Sequence, residues 1–144
     1  MRVSPRRRLS QARCRQVYGS LRLVEMNGPN WMKNAERVAR SFHATTAGER
    51  GATHSVYVVL LRDPSGIGRW GLYVGQTSRD PDLRFDQHKA GHKASRAVRR
   101  FGVRLLPHLV EHLNPMRGWE SLELEAALAD SFRSAGIRWI EGGH

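Results

Sequence analysis

Arg84 and His88 stand four residues apart in "DPDLRFDQHKAG", a spacing that brings both side chains to one side of a helix. A guanidinium fork suits the oxygens of a phosphate, and an imidazole holds or passes a proton near neutral pH. Two tyrosines precede them, Tyr57 in "SVYVVLLR" and Tyr73 in "RWGLYVGQT". Further on, "WESLELEAALADSFRSAG" sets Leu122, Ala126, Leu128, Ala129 and Phe132 on one apolar stripe, with Glu125 inside it. Glu120, Glu123 and Asp130 are expected on the opposite face. A carboxylate turned toward a core is costly unless a cation, a metal or strong donors hold it. Each residue alone has a plainer account: a cationic helix face, packed tyrosines, a glutamate at the margin of a stripe. Together they offer phosphate recognition, a proton acceptor and a single metal ligand, which is what hydrolysing a phosphodiester requires.

The elements that must position these groups are legible as a small α+β domain. "SVYVVLLR" is a β-branched apolar run of strand length, and "DPSGIG" after it is turn chemistry. "RWGLYVGQT" then reads as the second arm of an antiparallel hairpin, with Tyr57, Val59 and Leu61 sharing one face and Tyr73 and Gly75 sharing one face of the partner. "DPDLRFDQHKAG" starts at Asp80 before Pro81 and stops at Gly91, and "KASRAVRRFG" is a second short helix stopped by Gly102. "VRLLPHLVEHL" reads as a third strand, which Pro107 pushes to a sheet edge. The order is β-β-α-α-β-α, so a central three-stranded, mostly antiparallel sheet flanked by helices is expected. Residues 54–138 form that domain. Residues 1–53 form a basic N-terminal extension with a short amphipathic helix near Trp31, Val38 and Phe42, followed by a small-residue linker "TTAGERGATH"; residues 139–144 are a tail.

Charge narrows the class of partner. Among 144 residues, 24 Lys and Arg face 13 acids, a formal net charge of +11 that favours polyanions through counterion release. The first fifteen residues hold six arginines and no acid, as nucleic-acid arms often do. From Arg84 to Arg104 there are seven Lys or Arg and a single acid, Asp86, so Lys89, His92, Lys93, Arg96, Arg99 and Arg100 are expected to line a nucleic-acid-facing surface. A membrane surface is the competing polyanion, but no helix pairs a large apolar face with a basic one, and no apolar run approaches a membrane span. The basic N-terminus lacks a following apolar segment, so a secretory signal is not expected. The lone Cys14 excludes an internal disulfide and fits a reducing, cytoplasmic setting. "HLVEH", from His108 to His112, matches a zinc-peptidase spacing, yet it lies between Pro107 and Pro115 in a segment that reads as strand.

"VYVVLL" and "LYVGQT", with sixteen residues from Tyr57 to Tyr73, resemble the paired strand motifs of the GIY-YIG endonuclease family. Arg84 follows eleven residues after Tyr73, and with His88 it resembles the family's R-x-x-x-H helix. Phe101-Gly102 and Glu125 in "LEAALADSF" resemble its later elements, and the likeness spans roughly residues 54–138. The resemblance implies a metal-dependent endonuclease acting on nucleic acid, DNA before RNA, with one Mg²⁺ or Mn²⁺ ion on Glu125. It further implies that Tyr57 acts as, or positions, the general base; that Tyr73 orients the phosphate or the water; and that Arg84 stabilises the phosphorane. His88 would assist proton transfer or bind phosphate, and Gly75 would allow close backbone approach to the site. A nucleic-acid-binding module of the same fold without activity is the alternative.

Overall fold

A computed structural model of the chain describes residues 28–65 and 69–143. The arginine-rich first fifteen residues and Cys14 lie outside them. The chain divides between Lys33 and Asn34; the first unit is described only from Gly28, where helix α1 (Gly28–Arg40) begins. The second unit runs from Asn34 onward.

That unit is α+β, with a four-stranded mixed sheet in the order β3-β1-β2-β4. Strands β1 (Ser55–Asp63) and β2 (Arg69–Thr77) form the antiparallel hairpin, with Tyr57 opposite Gly75 and Val59 opposite Tyr73. Val56 through Leu61 are all buried, as expected of a central strand covered on both faces. Helix α2 (Pro81–Ala90) has the ends its sequence specifies. The Asp80 carboxylate accepts from Asp82 N–H at 2.8 Å, Pro81 occupies the first turn, and Gly91 closes the helix at φ 86°. Helix α3 (Arg96–Phe101), capped by Ser95, runs directly into strand β3 (Gly102–Leu105) at the sheet edge.

Beyond β3 the structure departs from the expected third strand. Leu106 ends the pairing, and Pro107–Val110 forms a one-turn helix, α4, with proline in its first turn. Proline fits there because the missing N–H has no helical acceptor to lose. Helix α5 (Gly118–Ser134) follows, and strand β4 (Ile140–Gly142) then pairs parallel to β2, Leu72 opposite Ile140. The sheet therefore has four strands, not three; its β3-β1-β2 part is antiparallel as expected, and the added β4 makes it mixed. The segment expected as a tail from 139 to 144 supplies the fourth. Trp139 anchors it: only 6 % exposed, it sits where a Cβ on Gly71 would lie 2.5 Å from its carbonyl oxygen and 2.7 Å from its ring.

The presumed linker is likewise part of the packed unit. His54 and Met116 exchange main-chain bonds of 2.9 and 2.7 Å, and Gly48 N–H donates to the Pro115 carbonyl. Thr45 and Thr46 donate four hydrogen bonds, two main-chain and two hydroxyl, to the Glu120 carboxylate at 2.6–2.8 Å. The unit thus reaches back to Asn34, well before the expected boundary at residue 54. Ala35, Val38 and Ala39 give α1 its buried side, while Phe42 lies beyond the helix end.

The two sheet faces have different tasks. Tyr57, Val59 and Leu61 pack with Val98 and Trp139, and with Tyr73, Phe85, Ala97 and Phe101, so α2 and α3 cover this side. On the other side lie Val56, Val58, Leu60, Leu72 and Val74, together with the Leu128, Ala129 and Phe132 side chains of α5. Ser121 on α5 donates to Gln76, which shares that face of β2. Among the described residues, no helix is long and apolar enough to cross a membrane.

Candidate active site

The site is built on the hairpin. Because Tyr57 pairs with Gly75 and Val59 with Tyr73, the two phenols are diagonal neighbours on one face, their ring centroids 6.0 Å apart. Gly75 makes this possible. A Cβ there would lie 2.5 Å from Tyr57 Cζ, 2.6 Å from its Oη and 2.9 Å from Tyr73 Cε1. The space that glycine leaves is filled by the tyrosine rings. Gly75→Ala is therefore expected to displace both phenols and to cost about 1–3 kcal/mol, as overpacking does. Thermal denaturation and the tyrosine ring resonances of the variant check this.

Helix α2 adds the third ring. His88 is 1 % exposed, with its ring 6.1 Å from Tyr57 and 5.6 Å, edge-on, from Tyr73. Its Nε2 meets the Tyr57 hydroxyl at 2.8 Å, and its Nδ1 accepts from the Ser95 main-chain N–H at 2.8 Å. Burial, reinforced by the Arg84 charge, pushes His88 down to about 4, so the imidazole is neutral at physiological pH.

Arg84 lies one turn earlier on α2. Its guanidinium donates to the Lys93 carbonyl at 2.8 Å, the His92 carbonyl at 3.3 Å and Gln87 Oε1 at 3.4 Å. The fork is thus oriented by the loop joining α2 to α3. Its positive charge favours ionisation of both phenols, though it does not win. Burial first, then Tyr73 and the Glu125 charge, hold the Tyr57 hydroxyl well above its usual range, and burial raises Tyr73. Both phenols are therefore protonated at neutral pH.

Glu125 comes from α5 and is 6 % exposed. Its charge raises both phenols, as a minor cause beside burial. A carboxylate in that setting is one hard-oxygen donor, suited to a divalent cation that keeps most of its coordination as water and substrate oxygens. The described residues contain no cluster of three or more His, Cys, Asp or Glu arranged to hold a metal.

Two expectations about α5 are reversed. Leu122, placed on the buried stripe, is 51 % exposed, and Glu120, placed on the opposite face, is 5 % exposed. Burial raises the Glu120 carboxyl, but the Thr45 and Thr46 bonds outweigh it and bring it to about 2. Glu120 is thus a structural carboxylate, whereas Glu125 acts on the tyrosines through its charge.

The basic residues separate into two groups. Lys89 is committed: its ammonium donates to the Arg99 and Gly102 carbonyls at 3.1 and 3.0 Å, closing the end of α3. His92, Lys93, Arg96, Arg99 and Arg100 are exposed along the loop and α3. Arg99 lies against Gly91, and Arg100 sits 5.1 Å above the Phe101 ring. Of the histidines in "HLVEH", His108 faces Glu36 at 4.0 Å and His112 bonds the Phe42 carbonyl, so the pair does not converge.

Ser95 is the site residue that sequence reasoning missed. Its only signal was its place before "RAVRRF", where an N-cap is expected. Comparison of the chain with protein-family models, curated proteins and solved structures finds no match.

Proposed function

We propose that this chain is a metal-dependent endonuclease that hydrolyses phosphodiester bonds in nucleic acid, DNA before RNA, at the site on the β1–β2 hairpin. The observation that carries the reading is a cluster of three rings with two opposite charges acting on it. Buried Tyr57 and His88 cluster with the partly buried Tyr73, and the charges of Arg84 and Glu125 both act on the phenols. The hairpin, the R-x-x-x-H helix and the glutamate helix follow each other as the GIY-YIG motif spacing implies, and we assign the chain to that topology with β4 added at the edge.

In this reading Tyr57, a protonated phenol held by His88, positions the attacking water, and Tyr73 orients the phosphate beside it. Arg84 is pre-aimed by the His92 and Lys93 carbonyls, and the rest of its fork offers N–H groups to the equatorial oxygens of the phosphorane. Glu125 would hold one Mg²⁺ or Mn²⁺ ion, which when bound polarises the phosphate and offsets charge on the leaving oxygen. His92, Lys93, Arg96, Arg99 and Arg100 follow the sugar-phosphate backbone, with the cytoplasm as the proposed location.

Arg84→Ala separates the steps. Cleavage of supercoiled plasmid or labelled oligonucleotides is expected to fall by about 10²–10³-fold, the loss typical of a charge-stabilising donor. Binding remains measurable and salt-sensitive, because the exposed cations are untouched. Salt-sensitive binding with no metal-dependent cleavage by the unaltered protein, on any substrate in the panel, would replace this reading with a binding module.

A further inference from the structure

The two bonds made by His88 have a direction that the ring alone does not reveal. Its Nδ1 faces the Ser95 main-chain N–H and its Nε2 faces the Tyr57 hydroxyl, both at 2.8 Å. A main-chain N–H only donates, so Nδ1 must present its lone pair. A neutral imidazole with a bare Nδ1 carries its proton on Nε2. We propose that Ser95 is a positioning residue whose main-chain N–H locks His88 as the Nε2–H tautomer, making His88 a hydrogen-bond donor to Tyr57 and not the acceptor of its proton.

The loop around Ser95 is built to hold that N–H in place. Arg84 ties down the His92 and Lys93 carbonyls, and Lys93 itself sits at φ 43°, an uncommon conformation for a residue with a side chain. Lys89 clamps the far end of α3, and Ser95 starts that helix with its hydroxyl toward Val98 N–H. Arg84 therefore aims the loop as well as a phosphate-binding fork.

The role of His88 in the proposed cleavage, a consequence that rests on the nuclease reading, changes accordingly. The phenol proton of Tyr57 points away from His88, toward Tyr73 or a group bound at the site. The phenol keeps that proton and donates it in a hydrogen bond there, while the Nε2–H bond fixes the position of Oη.

Long-range ¹H–¹⁵N correlation of the imidazoles in the ¹⁵N-labelled full chain at neutral pH tests the proposal, with His88 assigned by the signal lost in His88→Gln. The expected spectrum shows His88 protonated on Nε2 with Nδ1 a bare acceptor; an Nδ1–H pattern overturns the proposal. Ser95→Pro removes the N–H at φ −65°, an angle proline itself prefers, whereas Ser95→Ala keeps the N–H. The proline variant is expected to show mixed His88 tautomers and the alanine variant the wild-type pattern. An unchanged pattern in Ser95→Pro also overturns the proposal. Should that variant not fold, the wild-type spectrum decides alone. Nicking by folded Ser95→Pro is expected to fall by about 10–100-fold, the loss usual for a partner that orients a working imidazole. The spectrum reads the tautomer whether or not the chain cuts, so a protein with Nε2–H that cleaves nothing contradicts the nuclease reading and leaves this assignment standing.

Discussion

Glu125→Gln is expected to reduce metal-dependent phosphodiester cleavage by about 10³-fold while leaving the fold intact. The change keeps the size and shape of a side chain that is 6 % exposed and removes only its charge. A neutral amide oxygen is a far weaker donor to a divalent cation than a carboxylate, so the proposed ion is lost. The same charge now disfavours ionisation of Tyr57 and Tyr73, and its loss moves both phenols toward their ordinary range. Nicking rates for the two proteins under identical Mg²⁺, together with their melting temperatures, check the prediction. A melting temperature close to wild type shows that the lost rate reflects chemistry and not unfolding.

The second large effect belongs to the other buried glutamate on the same helix. Glu120→Ala removes the acceptor for the four hydrogen bonds from Thr45 and Thr46. Two of the stranded donors are main-chain N–H groups, and Thr46 is itself buried. Losing charge-assisted bonds in such a place costs about 3 kcal/mol, a fall in melting temperature on the order of 10 °C for a unit of this size. The pH dependence has a definite sign. The folded carboxyl titrates at about 2, below the usual carboxylate range near 4.5, so it stabilises the fold above pH 4.5. Acidification then removes that contribution between pH 4.5 and pH 2. Denaturant unfolding across this range should slope downward for the unaltered chain, and less so for Glu120→Ala. Wild-type stability in the variant would mean that α5 does not depend on the residues that precede β1.

The contrast between the two glutamates marks where the sequence is legible. Glu125 was readable because an acid interrupts an apolar stripe, whatever its partners. Glu120 was not, since its burial depends on donors 74 and 75 positions earlier in the chain. No periodicity within α5 carries that information. Those distant donors, with the bond from Ser121 to Gln76, turn the helix so that Ser121, Glu125, Leu128 and Phe132 face inward and Leu122 faces out.

The hairpin and α2 were readable for the opposite reason: their determinants are local. β-Branched runs set the strands, and Asp80, Pro81 and Gly91 set the helix ends. Alternation was enough to place Tyr57, Tyr73 and Gly75 on one face, and the register bears it out. Strand β4 was hidden because three residues in parallel pairing leave no period to detect. Its nearest signal was compositional, the Trp139-Ile140 pair that a solvated tail would not need. Past β3, one proline turned an apolar run from strand to helical turn, an outcome apolar content alone does not distinguish. Ser95 stayed invisible as a site residue because it acts through its main chain, which every residue but proline shares.

The central claim is that Tyr57, Tyr73, Arg84, His88 and Glu125 form one metal-dependent phosphodiester-cleaving site. Its most direct test is the conversion of supercoiled plasmid to nicked circles by the purified full chain, followed in time with Mg²⁺ or Mn²⁺, with EDTA, and with Glu125→Gln in parallel. Nicking is expected to require the metal and to disappear in the variant. Nicking that persists in EDTA, or is unchanged in a folded Glu125→Gln protein, would contradict the claim.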